Sequence, residues 1–164
     1  NQTNLIENNL IGSRDIKLKE RKIYEAIIKK NLPKLINSKF ALNTIKKIFK
    51  LNNSNNVGFR KKNMSSILMR YFMNMEKVMK NLDKIIKING KLIFVIGDNF
   101  TTAGNEKIKI QNSKILEEIG QSLNWKLIEK IPITVTKENT INIKNSISNN
   151  DILIFKKLNK RKFK

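Results

Sequence analysis

The chain contains no cysteine and no histidine. Disulfides, thiolate and imidazole metal sites, imidazole bases and Cys/His nucleophilic pairs are therefore excluded together. Any chemistry here falls to carboxylates, amides, hydroxyls or groups lent by a partner. Proline occurs only at Pro33 and Pro132. No apolar run approaches the roughly 18 to 20 residues of a membrane-spanning helix; the longest is Leu92-Ile93-Phe94-Val95-Ile96. The terminus Asn1-Gln2-Thr3-Asn4 lacks the basic stretch followed by an apolar one that marks a secretory signal. The expectation is a soluble, cytoplasmic chain with no membrane partner. It begins without Met, as a processed product or a piece of a longer polypeptide would.

Acidic residues are scarce: 13 Asp and Glu stand against 34 Lys and Arg, a net charge of +21. Such an excess attracts polyanions through counterion release and long-range steering, so nucleic acid is the default partner. The bland alternative is a compositional bias towards Lys, Asn and Ile that scatters lysines regardless of function. With 40% hydrophobic residues in 164, the chain can bury a core of single-domain size.

Along the chain, 1–20 is polar and reads as an entering segment. Residues Ile23, Ile27, Ile28, Leu32, Leu35, Ile36, Ile45, Ile48 and Phe49 recur at helical spacing, broken by Pro33, and predict two helices over 18–49. The Asn-rich run 52–58 reads as a loop delivering the basic cluster Arg60-Lys61-Lys62. From Ser66, residues Leu68, Tyr71, Phe72, Met75, Val78, Met79, Leu82, Ile85 and Ile86 keep three- and four-residue steps and predict a long helix ended by Asn89-Gly90. The apolar run 91–97 has the length and β-branching of a strand buried on both faces, which implies a parallel sheet covered by helices. A loop over 98–111 leads to a helix with Asn112 or Ser113 as N-cap. Residues 125–136 alternate as a strand, 137–150 reads as a long connection, and 151–155 closes as a final strand before a basic tail.

The residues Tyr71-Phe72-Met73-Asn74-Met75, then Leu82 through Lys91, then Leu92-Ile93-Phe94-Val95-Ile96-Gly97-Asp98-Asn99, resemble the helix, Gly-containing turn and strand ending in Gly-Asp/Asn of amino-methylating DNA methyltransferases. Glu117-Glu118-Ile119-Gly120, Trp125-Lys126-Leu127-Ile128 and Asp151-Ile152-Leu153-Ile154-Phe155-Lys156 follow in that family's order. The early Leu10-Ile11-Gly12-Ser13 resembles a segment those enzymes place after their catalytic tetrapeptide. The resemblance implies an α/β fold: the C-terminal half of a Rossmann-like methyltransferase sheet, with a buried parallel strand, a helix and a closing antiparallel hairpin, preceded by helices. A reversed last strand would lie between the two before it. It also implies a helical and basic segment over 1–65, a methyltransferase-like half-domain over 66–156 and a basic tail over 157–164.

Two motifs of that family are absent: the Pro-Pro tetrapeptide that holds a flipped base, and the Gly-rich turn that approaches the cofactor. The resemblance therefore implies a fragment or subunit of a split enzyme, inactive alone, that methylates a base amino group of DNA. A second polypeptide would supply the catalytic loop and most of the S-adenosylmethionine site. The alternative is a noncatalytic nucleic-acid-binding subunit that keeps the scaffold alone. No catalytic or metal-binding residue is assigned. Asp98 and Asn99, at the end of the expected strand, are candidates for a base pocket or cofactor rim, or else for a capping turn. Arg14, Arg60, Lys61, Lys62, Arg70, Lys137, Asn142 and Lys144 are candidates for nucleic-acid contact, against the reading that they are solvated charge. Trp125, between Leu123 and Leu127, is assigned to the core.

Overall fold

The computed structural model describes residues 11–13, 15–30, 35–134 and 149–159, and within them helical sequence gives way to strands after Asn89. The elements in order are α1 (Leu18–Lys29), α2 (Lys39–Ser54), α3 (Phe59–Ile85), β1 (Lys91–Gly97), β2 (Asn99–Ala103), β3 (Glu106–Ile110), α4 (Asn112–Ser122), β4 (Trp125–Thr134) and β5 (Asn149–Lys157). They fall into two units, Asn1–Val78 with Thr101–Ile108, and Met79–Phe100 with Lys109–Lys164.

In the first unit, Ser38 has extended backbone and its hydroxyl accepts from the Ala41 amide at 3.0 Å, so α2 starts on a side-chain cap. Helical spacing then puts Ala41, Ile45 and Ile48 in the core at 0% exposure. One turn on, buried Asn52 accepts from the Gly104 amide at 2.8 Å and donates to the Lys61 carbonyl at 2.6 Å. Gly104 sits in the left-handed region, φ +54°, at the β2–β3 turn, and a side chain there would strike Asn55 Nδ2 at 2.7 Å. A single buried amide thus ties the hairpin tip to two helices. Glu76 of α3, also buried, accepts from the backbone and side-chain amides of Asn37 at 2.8 and 2.6 Å and fixes the approach to α2.

Helix α3 begins seven residues before Ser66, so Arg60, Lys61 and Lys62 lie in its first turns instead of in a loop. The apolar periodicity starts late because those turns carry charged side chains, which have good helix propensity but give no core-facing signal. The stretch expected as a loop over 98–111 is largely the two-stranded sheet β2–β3.

In the second unit, α3 ends against a cation. Lys157 donates to the carbonyls of Asp83 and Ile86 and pairs with the Asp83 carboxylate at 3.1 Å, placing positive charge on the negative end of the helix dipole. Asn89, at φ +66°, then turns the chain into β1. The sheet order is β1-β5-β4, and β5 is antiparallel to both neighbours, with Leu92 opposite Phe155 and Ile131 opposite Ile152.

This corrects the expected fold class. Every strand pairing among the described residues is antiparallel, so the parallel pairing of a Rossmann-like sheet is not what holds these strands together. Nor is β1 buried on both faces: Leu92 is buried, whereas Ile93 and Val95 are 58% and 63% exposed. β-branched residues suit any strand, and their run did not report which faces were covered.

The covered face packs on α4. Ile115, Leu116 and Ile119 of that helix, Trp125, Leu153 and Phe155 are all at 0–1% exposure, and each buried aliphatic side chain contributes about 1.5–3 kcal/mol. Gly120 lets the helix approach closely, since a Cβ there would lie 2.9 Å from the Phe155 ring and 3.2 Å from Met79 Cε. Phe155 also meets Phe94 edge-on at 6.3 Å between centroids. Trp125 is therefore core, as its apolar neighbours suggested.

Candidate nucleic-acid interface

Strand β1 delivers Asp98 to the amino terminus of α4, where the first amides of a helix have no internal partner. The carboxylate takes that role: its Oδ1 accepts from the Ser113 amide and hydroxyl, both at 3.3 Å, while its Oδ2 pairs with Lys109 at 3.1 Å. Asn112 and Ser113, the two expected caps, both lie inside the helix, and Asn112 donates its side-chain amide to the Gly97 carbonyl at 2.8 Å. Across the helix start, Lys130 of β4 donates to the Ser113 hydroxyl at 3.1 Å and pairs with Asp151 of β5 at 2.9 Å. Asp98, Lys109, Ser113 and Lys130 edge a cleft of about 350 Å³ whose walls include Lys114, Glu117 and Leu153.

Two carboxylates and two ammonium groups are thus linked through one hydroxyl. Such a network fastens strand ends to a helix start, and its donors are engaged within the protein. Asn99 points elsewhere in role: it is exposed, and its side-chain Oδ1 accepts from the next backbone amide, that of Phe100, at 2.8 Å. Asp98 and Asn99 are neighbours in sequence without a shared site.

The basic candidates in the first unit divide in the same way. Arg70 is spent internally, donating to the carbonyls of Ser13 and Asp15 at 2.7 and 2.8 Å and pairing with Glu20 at 3.2 Å, with 14% of its side chain exposed. Lys61 donates to the Gly104 carbonyl at 3.2 Å. Arg60 and Lys62 are exposed on α3. Arg14, Lys137, Asn142 and Lys144 lie outside the described residues.

Sequence reading named Ser113 as a cap candidate and missed Lys109, Lys130 and Asp151. Lys130 lies beyond the register shift between Leu127 and Glu129, a bulge that no periodicity announces. No group of three or more carboxylates suited to a metal occurs among the described residues. Burial pushes the Tyr71 phenol above its ordinary 10.0, and burial together with Glu20 does the same to Tyr24, so both stay protonated at neutral pH and serve poorly as bases. No described helix is long and apolar enough to cross a membrane.

Several carboxylates that could offset the positive field are already paired: Glu20 with Arg70, Glu25 with Arg21, Asp83 with Lys157, Asp98 with Lys109, Glu106 with Lys47 and Asp151 with Lys130.

No protein-family model and no curated protein matches the chain. One solved structure that it is similar to is a proposed DNA modification methylase from Thermus thermophilus, complexed with S-adenosyl-L-methionine, at 13% identity and a TM-score of 0.44. The match covers 60% of this chain, which spans 40% of the length of that one. A likeness at that level assigns neither family nor activity.

Proposed function

We propose that this chain is a noncatalytic nucleic-acid-binding module. The observation that carries the reading is a net charge of +21, from 34 Lys and Arg against 13 Asp and Glu, six of which are held in internal ion pairs among the described residues. Exposed cations such as Arg60 and Lys62 contact phosphates and position a duplex; they do not read its sequence. The absence from the sequence of any Pro-Pro tetrapeptide and Gly-rich cofactor turn, and the commitment of Asp98 to helix capping, support binding without catalysis.

The test is fluorescence anisotropy of a labelled duplex titrated with the full chain at several salt concentrations. Six or more phosphate contacts would weaken binding about 10³-fold or more between roughly 50 and 200 mM salt. Affinity indifferent to salt, or absent at the lowest salt, overturns the proposal.

A second reading, in which the chain is one part of a two-chain DNA methyltransferase whose partner supplies S-adenosylmethionine and the catalytic loop, is favoured by one observation. The last strand, β5, runs reversed between β1 and β4, the position the resemblance implied for it. Co-purification from the source with a polypeptide carrying the Pro-Pro tetrapeptide, followed by a methyl-transfer assay on the complex, separates this reading from the first.

A further inference from the structure

The sheet of the second unit has one face packed on α4 and another that no described element of that unit covers. On the uncovered face the register aligns three rows across β1, β5 and β4. Lys91, Lys156 and Lys126 form the first; Ile93, Ile154 and Glu129 the second; Val95, Ile152 and Ile131 the third. Ile93, Val95 and Ile131 are 58%, 63% and 38% exposed, and Ile152 and Ile154 are half-buried between them. Five aliphatic side chains therefore make one continuous strip, bounded at one end by a row of three lysines. Contiguous apolar surface rimmed by charge is what an interface presents, whereas scattered exposed aliphatics are ordinary.

We propose that this face docks an amphipathic helix of a partner protein, one that lays aliphatic side chains on the isoleucine strip and carries Asp or Glu on the flank beside the lysine row. Two features select that occupant. Neighbouring strands are about 4.8 Å apart, so three strands offer a strip about 10 Å wide, which is the diameter of a single helix. The charge selects its sign: Lys91, Lys156 and Lys126 outweigh Glu129, the carboxylate of the aligned rows. A second copy of the chain is disfavoured by the same charge, because it would bring one +21 body and its lysine row against another. Nucleic acid is disfavoured by the strip itself, which offers isoleucines and a valine where bases would need aromatic stacking or hydrogen bonds.

The full chain is titrated, in about 0.3 M KCl to mute nonspecific attraction, with a helical peptide bearing Leu along one face and Glu along one flank. Its counterpart carries Lys in place of Glu. The acidic peptide is expected to bind about 10-fold or more tightly than the basic one. The paired variant V95T/I131T keeps β-branched side chains at exposed positions, so its circular dichroism stays that of the parent while peptide affinity falls about 10-fold. The paired variant K91E/K126E should reverse the preference between peptides.

The proposal is overturned if neither peptide binds, if both bind equally, or if V95T/I131T binds the acidic peptide as well as the parent does, since charge alone would then explain the affinity. It is also overturned if sedimentation shows that the face pairs with a second copy, or if V95T/I131T loses affinity for duplex DNA in step with the peptide. Duplex binding unchanged in V95T/I131T keeps this inference separate from the nucleic-acid reading, so that either can fail without the other.

Discussion

At the residue scale, the two side chains most open to a functional reading are both occupied by the fold. Asp98 closes the amino terminus of α4 through Ser113 and Lys109. Replacing such a cap by Ala costs about 1 kcal/mol, and D98A should show that loss in urea unfolding while duplex affinity stays within about twofold of the parent. A fall in affinity greater than about 10-fold, with the fold intact, would put Asp98 in an interface after all. Arg70 holds two carbonyls and Glu20 at once. Removing it strands those acceptors at about 1–3 kcal/mol, and R70K recovers little because an ammonium lacks the guanidinium fork. Tyr71 makes a pH prediction. Burial raises its pKa, so the folded state favours the neutral phenol; the stabilisation is complete below the unfolded value near 10 and is lost as pH rises through the higher folded value. Unfolding free energy measured from neutral to strongly alkaline pH should fall above about 10 in the parent, and Y71F should flatten that fall.

At the element scale, the tightest junction is α4 against β5. A methyl group at Gly120 meets the Phe155 ring at 2.9 Å, and Phe155 is itself at 0% exposure with Phe94 against it, so the ring has no free direction of retreat. G120A should destabilise by about 1–3 kcal/mol although Ala is the better helix former, a sign that thermal denaturation would reveal directly. Much of this packing was legible in sequence: Ile115, Leu116 and Ile119 announce a helix face, and Trp125 and Phe155 sit in strand-forming stretches. Coverage of the sheet was not, because Ile93 and Val95 look the same to a periodicity argument whether a helix lies over them or water does. The β2–β3 hairpin was read as a loop for a related reason. Its tip is held by a buried amide, Asn52, from α2 and by Lys61, and polar tethers of high sequence separation leave no local pattern. The cleft beside α4 was half legible: a polar residue after β1 pointed to Asp98, but Lys130 reaches Ser113 and Asp151 from a strand with a bulged register.

At the scale of the whole molecule, the net charge of +21 sets two opposing tendencies. Self-repulsion destabilises the compact state, and screening relieves it, because the Debye length shrinks from about 30 Å at 0.01 M salt to about 8 Å at 0.15 M. Neutral salt should therefore raise the urea midpoint over that range. A polyanion that binds the folded chain stabilises by mass action instead, about 2.7 kcal/mol when present at roughly 100 times its dissociation constant. The two effects respond oppositely to further salt: screening saturates, whereas stabilisation by duplex DNA collapses as its affinity falls. Thermal midpoints of the full chain, taken with and without duplex across a salt series, should converge at high salt with the duplex-free value raised over its low-salt level. If duplex leaves the midpoint unchanged at low salt while salt alone raises it, the charge is a burden the fold tolerates and the nucleic-acid reading falls. If the midpoint with duplex exceeds the other at low salt and the gap closes on screening, the lysines bind phosphate in the folded state.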